Sequence, residues 1–172
     1  FVELRDGTLW LASHQSIQRR SADGRVLDTI HRGDGRGLAA LDMVEQLLQA
    51  PDGGLWAATT GGLLQWDDGE RRFHPVPGTD DAAAYSVAVG GDGLVWIAGL
   101  GELGAYEWDG ASLRRLRSVD ESAGLPMVAP GGVIVDEAGV VWLTTVRGLV
   151  RFDPGNGRLR VYGVHDGLPS HE

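Results

Sequence analysis

The sequence predicts an all-β fold built of β-propeller blades, each a sheet of four antiparallel strands. Three observations carry that expectation. A turn followed by a tryptophan recurs four times, as DGTLW at 6–10, DGGLW at 52–56, DGLVW at 92–96 and AGVVW at 138–142. The tryptophans Trp10, Trp56, Trp96 and Trp142 stand 46, 40 and 46 residues apart, and a repeat of about 40–50 residues with several short strands is a propeller signature. Glycine supplies 27 of 172 residues without a collagen period, about twice the usual share, as a chain with many tight turns requires.

The elements follow in order within each unit. An apolar strand leads into the Asp-Gly turn, where glycine accepts the positive φ and aspartate can bond its own turn backbone. The tryptophan then opens a second strand as a core residue. A small or polar corner follows, and a third strand places Arg20, Trp66, Tyr106 or Phe152 ten residues after the tryptophan. A second turn, Asp23-Gly24, Asp68-Gly69, Asp109-Gly110 or Asn156-Gly157, leads to the fourth strand. In the second unit the strands are expected at Val44–Gln49, Leu55–Thr59, Leu63–Trp66 and Arg72–Val76. The units span about 1–36, 37–79, 80–123 and 124–166, and 167–172 opens another. One segment competes: Leu38, Leu41, Val44 and Leu48 have helical spacing. Repeat phase favours a strand there, with at most a helical turn around Ala39–Asp42.

Composition narrows the function classes. The chain is 42% hydrophobic and 23% charged, ordinary for a globular protein. A formal net charge of −9 repels nucleic-acid phosphate and anionic lipid, so neither is an expected partner. The absence of cysteine excludes disulfides and thiolate-ligated metals. No apolar run reaches the length of a membrane span. The chain opens without Met, already in strand-like alternation, and reads as a section of a longer array of blades.

Two units carry a fuller motif. Residues 37–76 and 124–169 combine a Gly-Leu-Pro opening (Gly124-Leu125-Pro126, Gly167-Leu168-Pro169, with Gly37-Leu38 as a shorter copy), a turn before Leu-Trp or Val-Trp, and a threonine corner. The corner is Thr59-Thr60-Gly61-Gly62-Leu63 or Thr144-Thr145 with Gly148-Leu149, and the ending is Trp66-Asp67 or Phe152-Asp153. This pattern resembles the two-component regulator propeller repeat over essentially the whole chain. Departures are Ser16-Ile17 and Arg20 in unit one, Glu102-Leu103 in unit three and Ala138 at the turn of unit four. The resemblance implies a segment of a larger, about seven-bladed, extracytoplasmic sensor region. Such a region would belong to a bacterial inner-membrane receptor, periplasmic and homodimeric, with a histidine kinase or diguanylate cyclase output. Relatives that respond to glycan fragments imply an oligosaccharide or other small-molecule ligand.

The residues offer little for catalysis. No histidine spacing matches a metal motif, Ser13-His14 lacks an acid partner or nucleophile elbow, and no carboxylate pair can be placed for glycoside hydrolysis. No metal or cofactor is expected. Recognition is the better class, because propeller loops vary over a fixed scaffold. The loop-face candidates are His14, Gln15, Thr59, Thr60, Glu102, Arg147 and His165. The longer connections add His31–Arg36, 80–81 and Asp120–Ser122. A glycosidase- or lyase-type propeller enzyme and a protein–protein scaffold are the competing readings.

Overall fold

A computed structural model describes residues 1–13, 15–79 and 83–169. The fold is all-β: four separate four-stranded antiparallel sheets, each in simple up-and-down order, which are four propeller blades. Blade 1 contains β1 (Val2–Glu3), β2 (Leu9–Ala12), β3 (Ser16–Arg20) and β4 (Val26–His31). Blade 2 contains β5 (Val44–Gln49), β6 (Leu55–Thr59), β7 (Gly62–Asp67) and β8 (Arg72–Pro75). Blade 3 follows with β9 (Ser86–Val89), β10 (Val95–Gly99), β11 (Glu102–Trp108) and β12 (Leu113–Val119). Blade 4 is β13 (Pro130–Val135), β14 (Val141–Thr145), β15 (Gly148–Asp153) and β16 (Arg158–Tyr162). The expected strands of the second unit therefore form. The helical spacing at 38–48 yields only a turn, closed by Asp42 N donating to Ala39 O at 3.2 Å, because β5 pairs with β6 instead.

Turn chemistry explains why the sheets start where they do. Asp6, Asp52 and Asp92 each accept, through Oδ1, the backbone N–H two residues on, at 2.8–3.0 Å. The following glycines, Gly7, Gly53 and Gly93, hold φ of 80°, 93° and 82°, which costs them no Cβ clash. The fourth turn has Ala138 in place of the aspartate yet keeps the same backbone path. Asp136, two residues earlier, accepts from Ala138 N and Val140 N, both at 2.9 Å, and from Trp142 Nε1 at 2.8 Å. Those donors, the indole first, lower the Asp136 pKa.

Two short 3-10 turns, Glu121–Ala123 and Val164–Asp166, precede the Gly-Leu-Pro sequences. Asp120 caps the first by accepting from Ser122 N, and Gly124 and Gly167 end the two turns in the left-handed region. Among the described residues no helix is long and apolar enough to cross a membrane.

The blades group into two compact units, Phe1–Ala84 with Gly110–Ser112, and Tyr85–Asp109 with Leu113–Glu172. The first unit buries Trp10, Ile17, Ile30, Leu38, Trp66 and Phe73 in one cluster. The second buries Trp96, Leu103, Leu125, Leu143 and Phe152 in another. Each such large apolar side chain contributes about 1.5–3 kcal/mol relative to exposure.

An ion triad ties blade 1 to blade 2. The Asp28 carboxylate, only 12% exposed, accepts from Arg36 at 2.7 Å and from Arg71 at 2.9 Å. Arg36 Nε also donates to Arg71 O at 2.7 Å. Arg71 takes a left-handed φ of 54°, a strain that these contacts offset. The Arg36 hydrogen bond, opposed by burial and assisted by Arg71, holds the Asp28 carboxyl well below its ordinary 3.8. Asp28→Asn should therefore cost on the order of 2 kcal/mol at neutral pH, as expected for hydrogen bonds to charged groups. With the folded pKa depressed, this stabilisation is complete above the unfolded value and is lost as pH falls through the folded one. Denaturation series on both proteins should show a constant gap from neutral pH down to the usual carboxylate range, narrowing below it. A gap that widens on acidification would contradict the assignment.

Candidate functional site

The first unit gathers polar groups where the β2–β3 corner meets the connection from β4 to β5. Ser13 shapes the corner, its Oγ accepting from Gln15 N and Ser16 N. The connection is fixed to that corner by Arg32 N, which donates to Gln15 O at 3.0 Å. Asp34 then organises the loop, accepting from His31 N at 2.8 Å and Arg36 N at 2.9 Å. Arg32 donates to Ala40 O, and Gly33 N to Leu38 O at 2.8 Å. The result is an open cleft of about 320 Å³ lined by Gln15, His31, Arg32 and Ala40. A second recess of about 320 Å³ is lined by Ala12, Ser13, Met43, Val44 and Glu45. Its rim is held by blade 2: Met43 N donates to Thr60 Oγ1 and Thr60 N to Met43 O, both at 3.0 Å.

The chemistry on offer is hydrogen bonding with a positive edge. An amide, an imidazole and a guanidinium line the first recess, and a hydroxyl and a carboxylate line the second. Such groups can hold hydroxyls and one anionic substituent of a bound molecule.

The other sequence candidates lie in different settings. His14 falls outside the described residues. Thr59 is fully buried, and its hydroxyl donates to Gly62 O at 2.8 Å while accepting from Gly61 N at 3.2 Å. Thr145 makes the same closure with Gly148 O and Arg147 N in blade 4, so this threonine shapes the corner. In the second unit the Glu102 carboxylate pairs with Arg115 at 2.9 Å and accepts from Ser118 Oγ at 2.8 Å. Arg147 is exposed at the β14–β15 corner, and His165 is exposed in the 3-10 turn at 164–166.

Gln15 is thus the sequence candidate that lines a recess of the first unit, and Thr60 bonds to Met43, which lines the other. His31 and Arg32 were visible in the sequence only as loop residues, since nothing in their spacing announces a shared cleft with Gln15. The turns of blades 3 and 4 leave another recess, about 500 Å³, bordered by Asp92, Asp136 and Glu137. There Asp92 and Asp136 are already engaged with turn N–H groups.

One metal-type grouping escaped the sequence search. Asp67, Glu70 and His74 place one ligand atom each within 4.8 Å of one another on the β7–β8 hairpin. Asp67 already accepts from Glu70 N at 2.7 Å, and Glu70 contacts His74 Nε2 at 3.0 Å. The trio is explained as hairpin structure.

Among the described carboxylates with a displaced pKa, displacement is downward throughout. Asp6 is lowered first by Thr8, Asp120 by Ser122, Asp166 by Gly163 N and Asp28 by Arg36. A general acid at neutral pH needs the opposite shift.

No protein-family model and no curated protein sequence matches the chain. Solved structures do. An extracellular domain from B. thetaiotaomicron assigned to a one-component system superimposes with a TM-score of 0.80 at 17% identity, covering 99% of this chain and 25% of that one. The extracellular domain of a hybrid two-component system from the same organism gives 0.74 at 21% identity, with 99% and 23% covered. Virginiamycin B lyase from Staphylococcus aureus gives 0.64 at 13% identity, with 94% and 53% covered. The chain therefore spans about a quarter of the two extracellular domains. At these identities the likeness is one of fold.

Proposed function

We propose that this chain is a sensing, non-catalytic segment of a two-component regulator propeller. On this reading it lies in the extracytoplasmic part of a bacterial inner-membrane receptor that acts as a homodimer. The ligand is a glycan fragment, held by the loop face of the first unit at Gln15, His31 and Arg32, with Ser13 and Thr60 shaping the rim. The observation that carries the reading is that cleft, a convergent set of hydrogen-bonding groups formed where two loops meet. The fold shared with extracellular domains of signalling systems supports the setting, as do the repeat motifs. The ligand class follows from chemistry: neutral hydroxyls suit the amide and imidazole, and a uronate or sulfate suits Arg32.

A propeller enzyme is the second reading, favoured by the lyase fold among the similar structures. It requires an acid–base pair with separated pKa values, whereas the displaced carboxylates here all favour the ionised form.

Titration with neutral and acidic oligosaccharides, followed by thermal unfolding and calorimetry, tests the proposal. One class should raise the unfolding temperature saturably. Gln15→Ala and His31→Ala should each weaken that binding by up to about tenfold, the upper end of the net worth of one hydrogen bond, and leave the ligand-free unfolding temperature unchanged. Turnover of the oligosaccharide during incubation would favour the enzyme. Full binding in both variants, or none by the parent, would overturn the assignment.

A further inference from the structure

Glu45 borders the second recess of the first unit, together with Ala12, Ser13, Met43 and Val44. Val44 and Glu45 are neighbours in the chain, and a regular strand would send them to opposite faces. A bulge in β5 removes that constraint. Val44 stands opposite Thr59 and Gln46 opposite Ala58, which leaves Glu45 as the extra residue. Bulges of this kind re-aim a side chain.

Blade 4 separates the bulge from the acid. β13 shifts register at the same place, with Pro130 opposite Thr145 and Gly132 opposite Thr144, and its extra residue is Gly131. The bulge therefore belongs to the blade architecture, whereas the carboxylate is particular to blade 2. Glu45 is exposed, and among the described residues no hydrogen bond or ion pair engages its side chain.

The other polar groups nearby are spent. Ser13 Oγ accepts from Gln15 N and Ser16 N and donates to Ser16 O. Asp34 is taken up by His31 N and Arg36 N, and Arg32, which lines the other recess, donates to Ala40 O. The segment 42–45 carries Asp42 and Glu45 and no basic residue. What remains available is one anionic acceptor beside the apolar flank of Ala12, Met43 and Val44.

We infer that Glu45 forms a subsite for a primary ammonium group, and that the glycan recognised by the first unit is an amino sugar with its amine free. The inference rests on the proposed reading of the first unit's loop face as the ligand face. The ammonium donates to the Glu45 carboxylate in a charge-assisted hydrogen bond, while Met43 and Val44 receive the C–H face of the ring. Both recesses flank one corner, Ser13 bordering the second and Gln15 the first. A saccharide chain with its amine at Glu45 can thus present its hydroxyls to Gln15.

Three probes test this by calorimetry at about pH 6, where amines are charged: a glucosamine trisaccharide with free amines, its fully N-acetylated counterpart, and spermidine. The free-amine sugar should bind about fivefold more tightly than the acetylated one, the upper end for an exposed ion pair, and the ratio should shrink in high salt. Glu45→Gln should bring the ratio to about one, and Glu45→Lys should invert it, both at the parent's unfolding temperature. Spermidine bound in a Glu45-dependent manner, with neither sugar bound, would keep the ammonium subsite, make a polyamine its occupant and count against the glycan reading. Equal binding of the two sugars, or a preference that survives Glu45→Gln, overturns the subsite and leaves the glycan reading standing. Absence of binding by all three probes overturns the subsite too, and the glycan reading then depends on the acidic and neutral oligosaccharides of the preceding titration.

Discussion

Trp10→Ala is expected to cost about 3–5 kcal/mol, the range for truncating a large buried aromatic, out of a total that for such domains is about 5–15 kcal/mol. The ring is 1% exposed and its removal strips several contacts together. Trp66 loses its edge-on neighbour at 5.2 Å while retaining Phe73 at 5.1 Å. Arg19 loses the ring beneath its guanidinium at 5.4 Å, and with it the support that aims it at Asp68. Little can collapse into the void, because Ile17, Ile30 and Leu55 belong to strands fixed by their own ladders. Trp142→Ala provides the contrast: its ring is partly exposed and meets Tyr162 of its own blade, so about 1–2 kcal/mol is expected. Urea unfolding of the three proteins decides the matter. Equal losses for the two variants would show that cross-blade packing is not what Trp10 supplies.

Gly148→Ala is the second large effect. Gly148 opens β15 at φ 120°, and a Cβ added there would lie 2.1 Å from Tyr162 O. The obstacle is backbone in the neighbouring strand, so no rotamer change relieves it, and the β15–β16 ladder must shift. We expect more than about 3 kcal/mol of destabilisation, the range reserved for disrupted core or strained backbone. Gly139→Ala is the matched control, since φ is 78° and the added methyl meets open space. There only the left-handed conformation is penalised, by about 1 kcal/mol. Thermal unfolding should separate the pair clearly. Similar losses would mean that conformational strain, not the close approach of strands, explains the glycine at 148.

Much of the fold was legible because its signals are local. The Asp-Gly turns, the tryptophan period and the strand alternation each depend on residues within a few positions of one another. They correctly overrode the helical spacing of Leu38–Leu48, of which Val44 and Leu48 lie in β5, while Leu38 is buried ahead of it and Leu41 is exposed. Local reading stumbled where one residue replaced another without sequence equivalence. Ala138 reads as a departure from the turn motif, yet Asp136 reaches the equivalent N–H, that of Val140, from two residues earlier and adds the Trp142 indole. The 3-10 turns before Gly124 and Gly167 were likewise hidden, since only three residues make each.

The candidate site was legible only in its address. Loop position nominated Gln15, which lines one of the first unit's recesses, and Thr60, which bonds to a lining residue of the other. The same reasoning nominated Thr59, whose hydroxyl is spent inside the corner, and Glu102, whose carboxylate is spent on Arg115 and Ser118. Residue type and loop membership do not reveal which polar atoms a fold has already satisfied.

The sequence by itself determined the blades: where strands begin, which turns need glycine, and which aromatics recur in phase. Tertiary structure alone decided the partnerships, namely Arg19 with Asp68 across 49 residues, Arg36 with Asp28 and Arg71, and the meeting of Gln15 with His31 and Arg32. The physical reason is range. Turn and strand preferences are short-range energies written in consecutive residues, whereas ion pairs, ring contacts and clefts depend on distances that exist only once strands, loops and blades have packed.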